Sequence, residues 1–137
     1  MKKLIISGSA KFQEKYLDLV KTFIPKYDIL DFPKIIHVVE FEKKYPEVLS
    51  NYYKNIEKSD IFLLANFDKN GVSGSIGAAA FAELSYAVIR KINYDQNIEI
   101  YLLQQPPEDF FAKDEISLWI KYDWVKIADD HFFAKNH

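Results

Sequence analysis

Apolar residues are arranged along this chain in two kinds of segment. Short, nearly continuous apolar runs are typical of buried parallel strands, and they occur at Lys3–Ser7, Tyr27–Asp31, Ile61–Ala65, Ile98–Leu103 and Trp124–Ile127. Between these runs, apolar residues recur at spacings of three and four, which is typical of one buried helical face. The segments with this helical spacing are Phe12–Phe23, Pro46–Ile56, Gly77–Ile92 and Asp114–Tyr122.

Strands that alternate with helices predict an α/β fold with a parallel sheet. We expect a three-layer α-β-α arrangement, flavodoxin-like or Rossmann-like, with a sheet of about five strands. The chain has 137 residues, which is the usual length of one domain, and neither a linker nor a repeat divides it. The sequence therefore predicts a single domain over residues 1–137.

The stretch between Pro33 and Pro46 has an ambiguous pattern. Ile35–Val39 is rich in β-branched residues and would suit a strand, but the charged stretch Glu40–Lys44 follows it directly. Proline is common at the first position of a helix, where its missing N–H group is not needed. We therefore expect the second helix to begin at Pro46.

Three of the four glycines lie close together after the third apolar run, at Gly71, Gly74 and Gly77. The fourth, Gly8, follows the first run. Such clustering indicates a backbone that turns sharply or lies against a ligand. Ligands of parallel α/β sheets bind beyond the carboxyl ends of the strands, so both glycine-containing loops are candidate ligand loops. A plain connecting turn is an equally good interpretation of the longer loop.

Glu83 is the acidic residue of the alanine-rich helix that follows this loop. Ala79, Ala80 and Ala87 lie three or four residues away from it, so the side chains around the carboxylate are small. Because Glu83 lies off the apolar face of the helix, it is a candidate for contact with a ligand held by the loop. The alternative, and the commonest fate of a glutamate, is a solvated position.

Composition excludes several classes of function. The 18 basic and 20 acidic residues nearly balance, and no block of like charge exists, so neither a nucleic-acid polymer nor a membrane is the expected partner. Cysteine is absent, which excludes disulfides and thiol nucleophiles. The histidines His37, His131 and His137 lack metal-ligand spacing, so we predict neither a metal nor another cofactor. No secretion signal follows Met1, and we expect a cytoplasmic protein.

The stretch Asp68–Gly77, followed by Glu83–Ala87, resembles the nucleoside 2-deoxyribosyltransferase-like superfamily. It is most similar to a small, poorly characterised branch with Asp-Lys-Asn-Gly and Tyr-Ile-Gly signatures. The resemblance includes Ile5–Ser9 at the first strand and Ile100–Leu103 at the fourth. It covers most of the chain outside residues 26–46 and the C-terminal end.

This resemblance implies cleavage or transfer of the N-glycosidic bond of a nucleoside or deoxynucleotide. Glu83 would attack the anomeric carbon and form a covalent intermediate, as the nucleophile of a retaining glycosidase does. Tyr86 would hold the Glu83 carboxylate in line for this attack. The resemblance also implies a homodimer or larger assembly. The residues expected to bind the substrate are Ser7, Gly8, Ser9, Asp68, Asn70, Gly71, Gly74, Ser75 and Gly77.

The chain departs from the family pattern around the glutamate. Classical transferases carry an acidic residue six positions before the nucleophile, where this chain has Gly77. Ser85 replaces a usual glycine, and an alanine run, 78–80, follows Gly77. A catalytically inactive nucleoside-binding or nucleotide-binding module is therefore the alternative function, and a purely structural or partner-binding protein is a third.

Overall fold

The structure is a computed structural model, and it describes residues 1–134. Its sheet has the strand order β2-β1-β3-β4-β5, and every neighbouring pair of strands is parallel. The strands are β1 Lys3–Ser7, β2 Asp28–Asp31, β3 Ile61–Leu64, β4 Glu99–Leu102 and β5 Lys126–Ile127. The predicted three-layer α/β fold with a parallel sheet is thus confirmed.

Helices connect the strands and cover both faces of the sheet. They are α1 Gln13–Phe23, α2 Phe41–Lys58, α3 Ala78–Asn93, α4 Lys113–Lys121 and α5 Asp130–Ala134. The last helix, α5, lies outside the predicted helical segments, and its Phe132 is buried with its ring 4.4 Å from the ring of Tyr101. Within the described residues, no helix has both the length and the apolar character needed to cross a membrane.

The two faces of the sheet pack against different helices because successive side chains of a strand point in opposite directions. Leu4 and Ile6 of β1 belong to a buried cluster that includes side chains of α1 and α5. Ile5 belongs to the other cluster, which is formed with α2, α3 and α4. Ser7, two residues after Ile5, therefore lies on the face that α2 and α3 cover.

The ambiguous segment forms neither a strand nor the predicted helix start. Residues 32–37 have no regular structure, and a single 3-10 turn, Val38–Glu40, leads directly into α2. The prediction that Pro46 opens the second helix is wrong, because α2 begins at Phe41. Pro46 lies inside the helix, where its missing N–H group leaves one helical hydrogen bond unmade.

Side-chain pairs one turn apart explain why α2 starts before the proline. Lys44 lies 2.8 Å from the Glu40 carboxylate, at the i,i+4 spacing that stabilises a helix. The rings of Phe41 and Tyr45 stack at 5.1 Å with the same spacing. One ion pair and one ring pair thus favour a helical turn before Pro46.

Candidate functional site

The candidate site lies where the strand order reverses. From β1 the chain passes to β2 on one side, and from β3 it passes to β4 and β5 on the other. The loops that leave the carboxyl ends of β1 and β3 therefore lead in opposite directions along the sheet, and this reversal is the usual ligand position in such sheets. The loop after β1 contains Gly8, and the loop after β3 contains the glycine cluster.

A direct hydrogen bond joins the two candidate residues at this position. Ser7, the last residue of β1, is completely buried, and its Oγ donates to Oε1 of Glu83 at 2.6 Å. Within residues 1–134, this is the one hydrogen bond to the Glu83 carboxylate. The two residues are far apart in sequence, and β1 and α3 bring them together.

The Glu83 carboxyl has an unusual protonation equilibrium. Burial raises its pKa to about 7, the hydrogen bond from Ser7 lowers it, and the negative charge of Asp31 raises it. Burial is the largest of these effects, because the charged form loses water that a single hydroxyl does not replace. With a pKa of about 7, both the acid and the base form of the carboxyl are populated near neutral pH.

Three tyrosines surround this carboxyl. Burial raises the pKa of Tyr16, Tyr52 and Tyr53, and the negative charge of Glu83 raises all three further. Tyr16 donates its hydroxyl hydrogen to the carbonyl of Ser9 at 2.6 Å, and Tyr52 donates to the carbonyl of Ile6. These hydroxyls stay neutral at physiological pH and hold the backbone at the end of β1.

The tip of the glycine-containing loop is a tight hairpin. Asn70 and Gly71 both have positive φ, 52° and 79°, and their neighbours Lys69 and Val72 exchange backbone hydrogen bonds of 3.0 and 2.9 Å. This is the backbone that an Asn-Gly pair favours in a two-residue turn. The turn geometry alone thus accounts for these two predicted site residues, which are exposed at the tip.

Gly74 makes the closest backbone approach in the loop. Its φ is 70°, and a Cβ at this position would lie 2.2 Å from the carbonyl oxygen of Gln105. Asp68 accepts a hydrogen bond from the Gly74 N–H at 3.2 Å and another from Nε2 of Gln104 at 2.9 Å. The same carboxylate oxygen, Oδ1, takes part in both bonds, so Asp68 is engaged within the protein.

The remaining predicted loop residues have varied surroundings. Gly8 lies against the Tyr16 hydroxyl, and the side chain of Ser9 accepts a hydrogen bond from the N–H of Lys11 at 3.3 Å. Ser75 is partly buried, and Gly77 is the exposed residue that precedes the first turn of α3.

Tyr86 does not contact Glu83 as the sequence analysis expects. Its hydroxyl donates to Glu57 of α2, and its ring packs edge-on against Tyr53 at a centroid distance of 5.0 Å. One turn of helix separates Tyr86 from Glu83, but the tyrosine side chain extends towards the exposed side of α2. In this structure, Ser7 holds the carboxylate instead.

Sequence reasoning missed Asp31 and the tyrosines around Glu83. Asp31 ends β2, beside the carboxyl end of β1, so its position at a strand end was the available signal. Tyr52 and Tyr53 lie within the predicted helical segment Pro46–Ile56, and sequence spacing alone does not distinguish a core tyrosine from one beside a carboxyl.

No group of three or more acidic or histidine side chains that could hold a metal ion exists within residues 1–134. His131 is exposed, and His137 lies outside the described residues. Comparisons with protein-family models, with curated proteins and with solved structures found no match to this chain.

Proposed function

We propose that this protein cleaves or transfers the N-glycosidic bond of a nucleoside or deoxynucleotide, with Glu83 as nucleophile. One observation carries the proposal: at the strand-order reversal, Ser7 at the end of β1 donates a hydrogen bond to one oxygen of the Glu83 carboxylate and leaves the other oxygen without a hydrogen bond within residues 1–134. The resemblance of the loop and of Glu83–Ala87 to the deoxyribosyltransferase-like superfamily gives this carboxylate its chemistry.

The reaction proceeds in two displacements. Oε2 of ionised Glu83, the oxygen that Ser7 does not bind, attacks the anomeric carbon, and the carbon–nitrogen bond breaks. The electron pair of that bond leaves with the base, which takes a proton from water. Water or a second base then attacks the same carbon, loses one proton to the solvent and releases the carboxylate. The first route is hydrolysis and the second is transfer.

A base-release assay tests the proposal. The protein is incubated with purine and pyrimidine nucleosides and their 5′-monophosphates, both ribo and 2′-deoxy, with and without an acceptor base, and free base is separated by chromatography. We expect release or exchange that disappears in Glu83→Gln and persists in Glu47→Gln, a matched change of an exposed glutamate on α2. Turnover that survives in Glu83→Gln would refute the nucleophile assignment.

The pH profile of the active protein tests the same assignment independently. A nucleophile must be ionised, so kcat/KM should rise with pH through about 7 and then level. A profile that falls with pH over this range would indicate that Glu83 acts as a proton donor instead.

A nucleoside-binding or nucleotide-binding module without turnover is the second candidate. The start of α3 favours it, because Gly77 and the alanines 78–80 bring no polar side chain close to Glu83. Stabilisation by a nucleoside or nucleotide in a thermal-shift experiment, without base release, would support this candidate over the enzyme.

We also propose a cytoplasmic homodimer or larger assembly. The segment that leads into α2 exposes apolar side chains, with Val38 84% and Val39 82% exposed, and Phe41 and Val48 nearly half exposed. Large apolar surface of this kind is typical of protein interfaces. Light scattering should give at least twice the chain mass of 16.1 kDa, and a monomeric mass would refute the assembly.

A further inference from the structure

Asn66, the second residue after β3, is a buried polar side chain whose amide is fully used. Its exposure is 1%, and its Oδ1 accepts hydrogen bonds from the N–H groups of Leu103 and Gln104 at 3.0 and 3.3 Å. Its Nδ2 donates to the carbonyls of Gln104 and Gly74 at 2.8 and 3.2 Å. Two donor and two acceptor positions are the whole capacity of an asparagine amide. Asn66 thus ties the end of β4 to the glycine-containing loop.

Gln104 and Asp68 complete the attachment from the other side. Nε2 of Gln104 donates to the carbonyl of Asn66 and to Oδ1 of Asp68, both at 2.9 Å, and Asp68 accepts the N–H of Gly74. Side chains therefore hold both polar backbone groups of Gly74: Asp68 binds its N–H and Asn66 binds its carbonyl.

We propose that Asn66, Asp68 and Gln104 form a clamp on Gly74 and act as positioning residues for the ligand-binding loop of residues 73–77. This inference rests on the proposed function for its activity measurement. It also changes the expected role of Asp68, which holds the loop from within and does not contact the substrate through its charge.

The position of Gly74 explains why a clamp here acts on the site. Residues 73–77 run from the clamp to Gly77, the cap of α3, which carries Glu83 in its second turn. Gly74 is pressed against the carbonyl of Gln105 in a left-handed conformation, which an unrestrained loop would hold only part of the time. A loop fixed before the ligand arrives binds without the loss of freedom that ordering would require.

Two substitutions at one exposed position separate the clamp from a direct contact. Asp68→Asn keeps an oxygen that accepts from both Gly74 and Gln104, but it removes the charge. Asp68→Ala removes both bonds. Asp109→Ala, at an exposed aspartate outside the candidate site, is the matched control. Because Asp68 is exposed and lies in a loop, neither variant is expected to prevent folding.

Hydrogen exchange without ligand measures the clamp directly. We expect amide exchange of residues 72–76 to accelerate about tenfold in Asp68→Ala, which loses both hydrogen bonds, and to stay within about twofold of wild type in Asp68→Asn, which keeps an acceptor, and in the control. Unchanged exchange in Asp68→Ala would overturn the clamp, whether or not the protein is an enzyme.

Kinetics with a nucleoside that the wild type cleaves, 2′-deoxyadenosine being the first probe, measure positioning. Asp68→Ala should raise KM about tenfold with kcat within about twofold, because the Ser7–Glu83 bond is untouched, and Asp68→Asn should restore the wild-type KM. A tenfold rise of KM in both variants, with amide hydrogen exchange unchanged in Asp68→Asn, would show that the charge of Asp68 contacts the substrate directly. That result would overturn the inference.

The failure of the proposed function has a different signature. No base release by the wild type would reject the enzyme, and the same comparison would then use thermal shift with 2′-deoxyadenosine and its 5′-monophosphate. Weaker binding in Asp68→Ala alone would support the clamp in a binding module. No binding by the wild type would leave a clamp without a ligand to position, and the inference would be overturned.

Discussion

Replacing Glu83 with glutamine removes a titrating carboxyl and keeps nearly the same shape, including an oxygen that accepts from Ser7. The carboxyl has its pKa raised from 4.5 to about 7 by burial, against the effect of the Ser7 bond and with a contribution from Asp31. In the window between these values the folded protein binds more protons than the unfolded chain. The stability that Glu83 contributes is therefore fully present below pH 4.5 and is lost as the pH rises through about 7.

The magnitude of this stability change follows from the size of the Glu83 pKa shift. Each pKa unit corresponds to about 1.4 kcal/mol, so the rise from 4.5 to about 7 corresponds to roughly 3.5 kcal/mol between the acid and the base form. For a domain of this length, that free energy corresponds to a difference of roughly 10 °C in Tm. Relative to wild type, Glu83→Gln should thus become more stable by this amount as the pH rises from 4.5 to 8.

Urea unfolding followed by the fluorescence of Trp119 and Trp124 measures this difference at each pH. Every other titrating group is common to both proteins, so the difference between their unfolding free energies isolates Glu83. Glu47→Gln reports how the loss of an exposed glutamate on α2 affects the same curves. Wild-type and Glu83→Gln curves that run parallel from pH 4.5 to 8 would refute the inference that this carboxyl is desolvated.

Three further predictions concern the same region. In urea unfolding, Gly74→Ala should lower the free energy of unfolding by more than about 3 kcal/mol, because its Cβ would meet the carbonyl of Gln105. Gly71→Ala, where a Cβ has open space and only the backbone is strained, should lower it by about 1 kcal/mol. Equal losses in the two variants would contradict the contact between Gly74 and Gln105. Leu84→Ala removes a completely buried side chain between α3 and the sheet and should lose roughly 2–5 kcal/mol in the same assay; a loss below about 1 kcal/mol would contradict its burial. Ser7→Ala should raise the Glu83 pKa by about one unit or more, measured by NMR titration of the carboxyl carbon, and an unchanged pKa would show that the bond does not stabilise the charged form.

The strands were predictable because burial on both faces leaves an unbroken apolar run. Ile61–Leu64 is completely buried, and no polar residue interrupts it. The convergence of Ser7 and Glu83 on one edge was partly predictable, since parallel strands bring their carboxyl ends together and the helix after β3 returns across the sheet. The fold pattern therefore predicts that Ser7 and Glu83 lie near the same edge of the sheet, where they form a hydrogen bond.

The direction of individual side chains was not predictable, because distant elements decide it. Tyr86 extends towards Glu57 of α2, a contact that depends on how two helices pack. The electrostatic effect of Asp31 on Glu83 depends on β2 lying next to β1, and strand order is a tertiary property. A helical spacing or a strand end places a residue on a face, but it does not select the partner.

Two separate sets of hydrogen bonds hold Glu83 and the glycine-containing loop at the candidate site. Glu83 is attached to the sheet through Ser7, whereas the glycine-containing loop is attached to β4 through Asn66, Asp68 and Gln104. A change in the first attachment should alter the ionisation of the carboxyl and hence the pH profile. A change in the second should alter the ordering of the loop and hence ligand affinity. Since the two attachments share no residue, their effects on binding and turnover should combine additively, and strong coupling would show that the loop also sets the environment of the carboxyl.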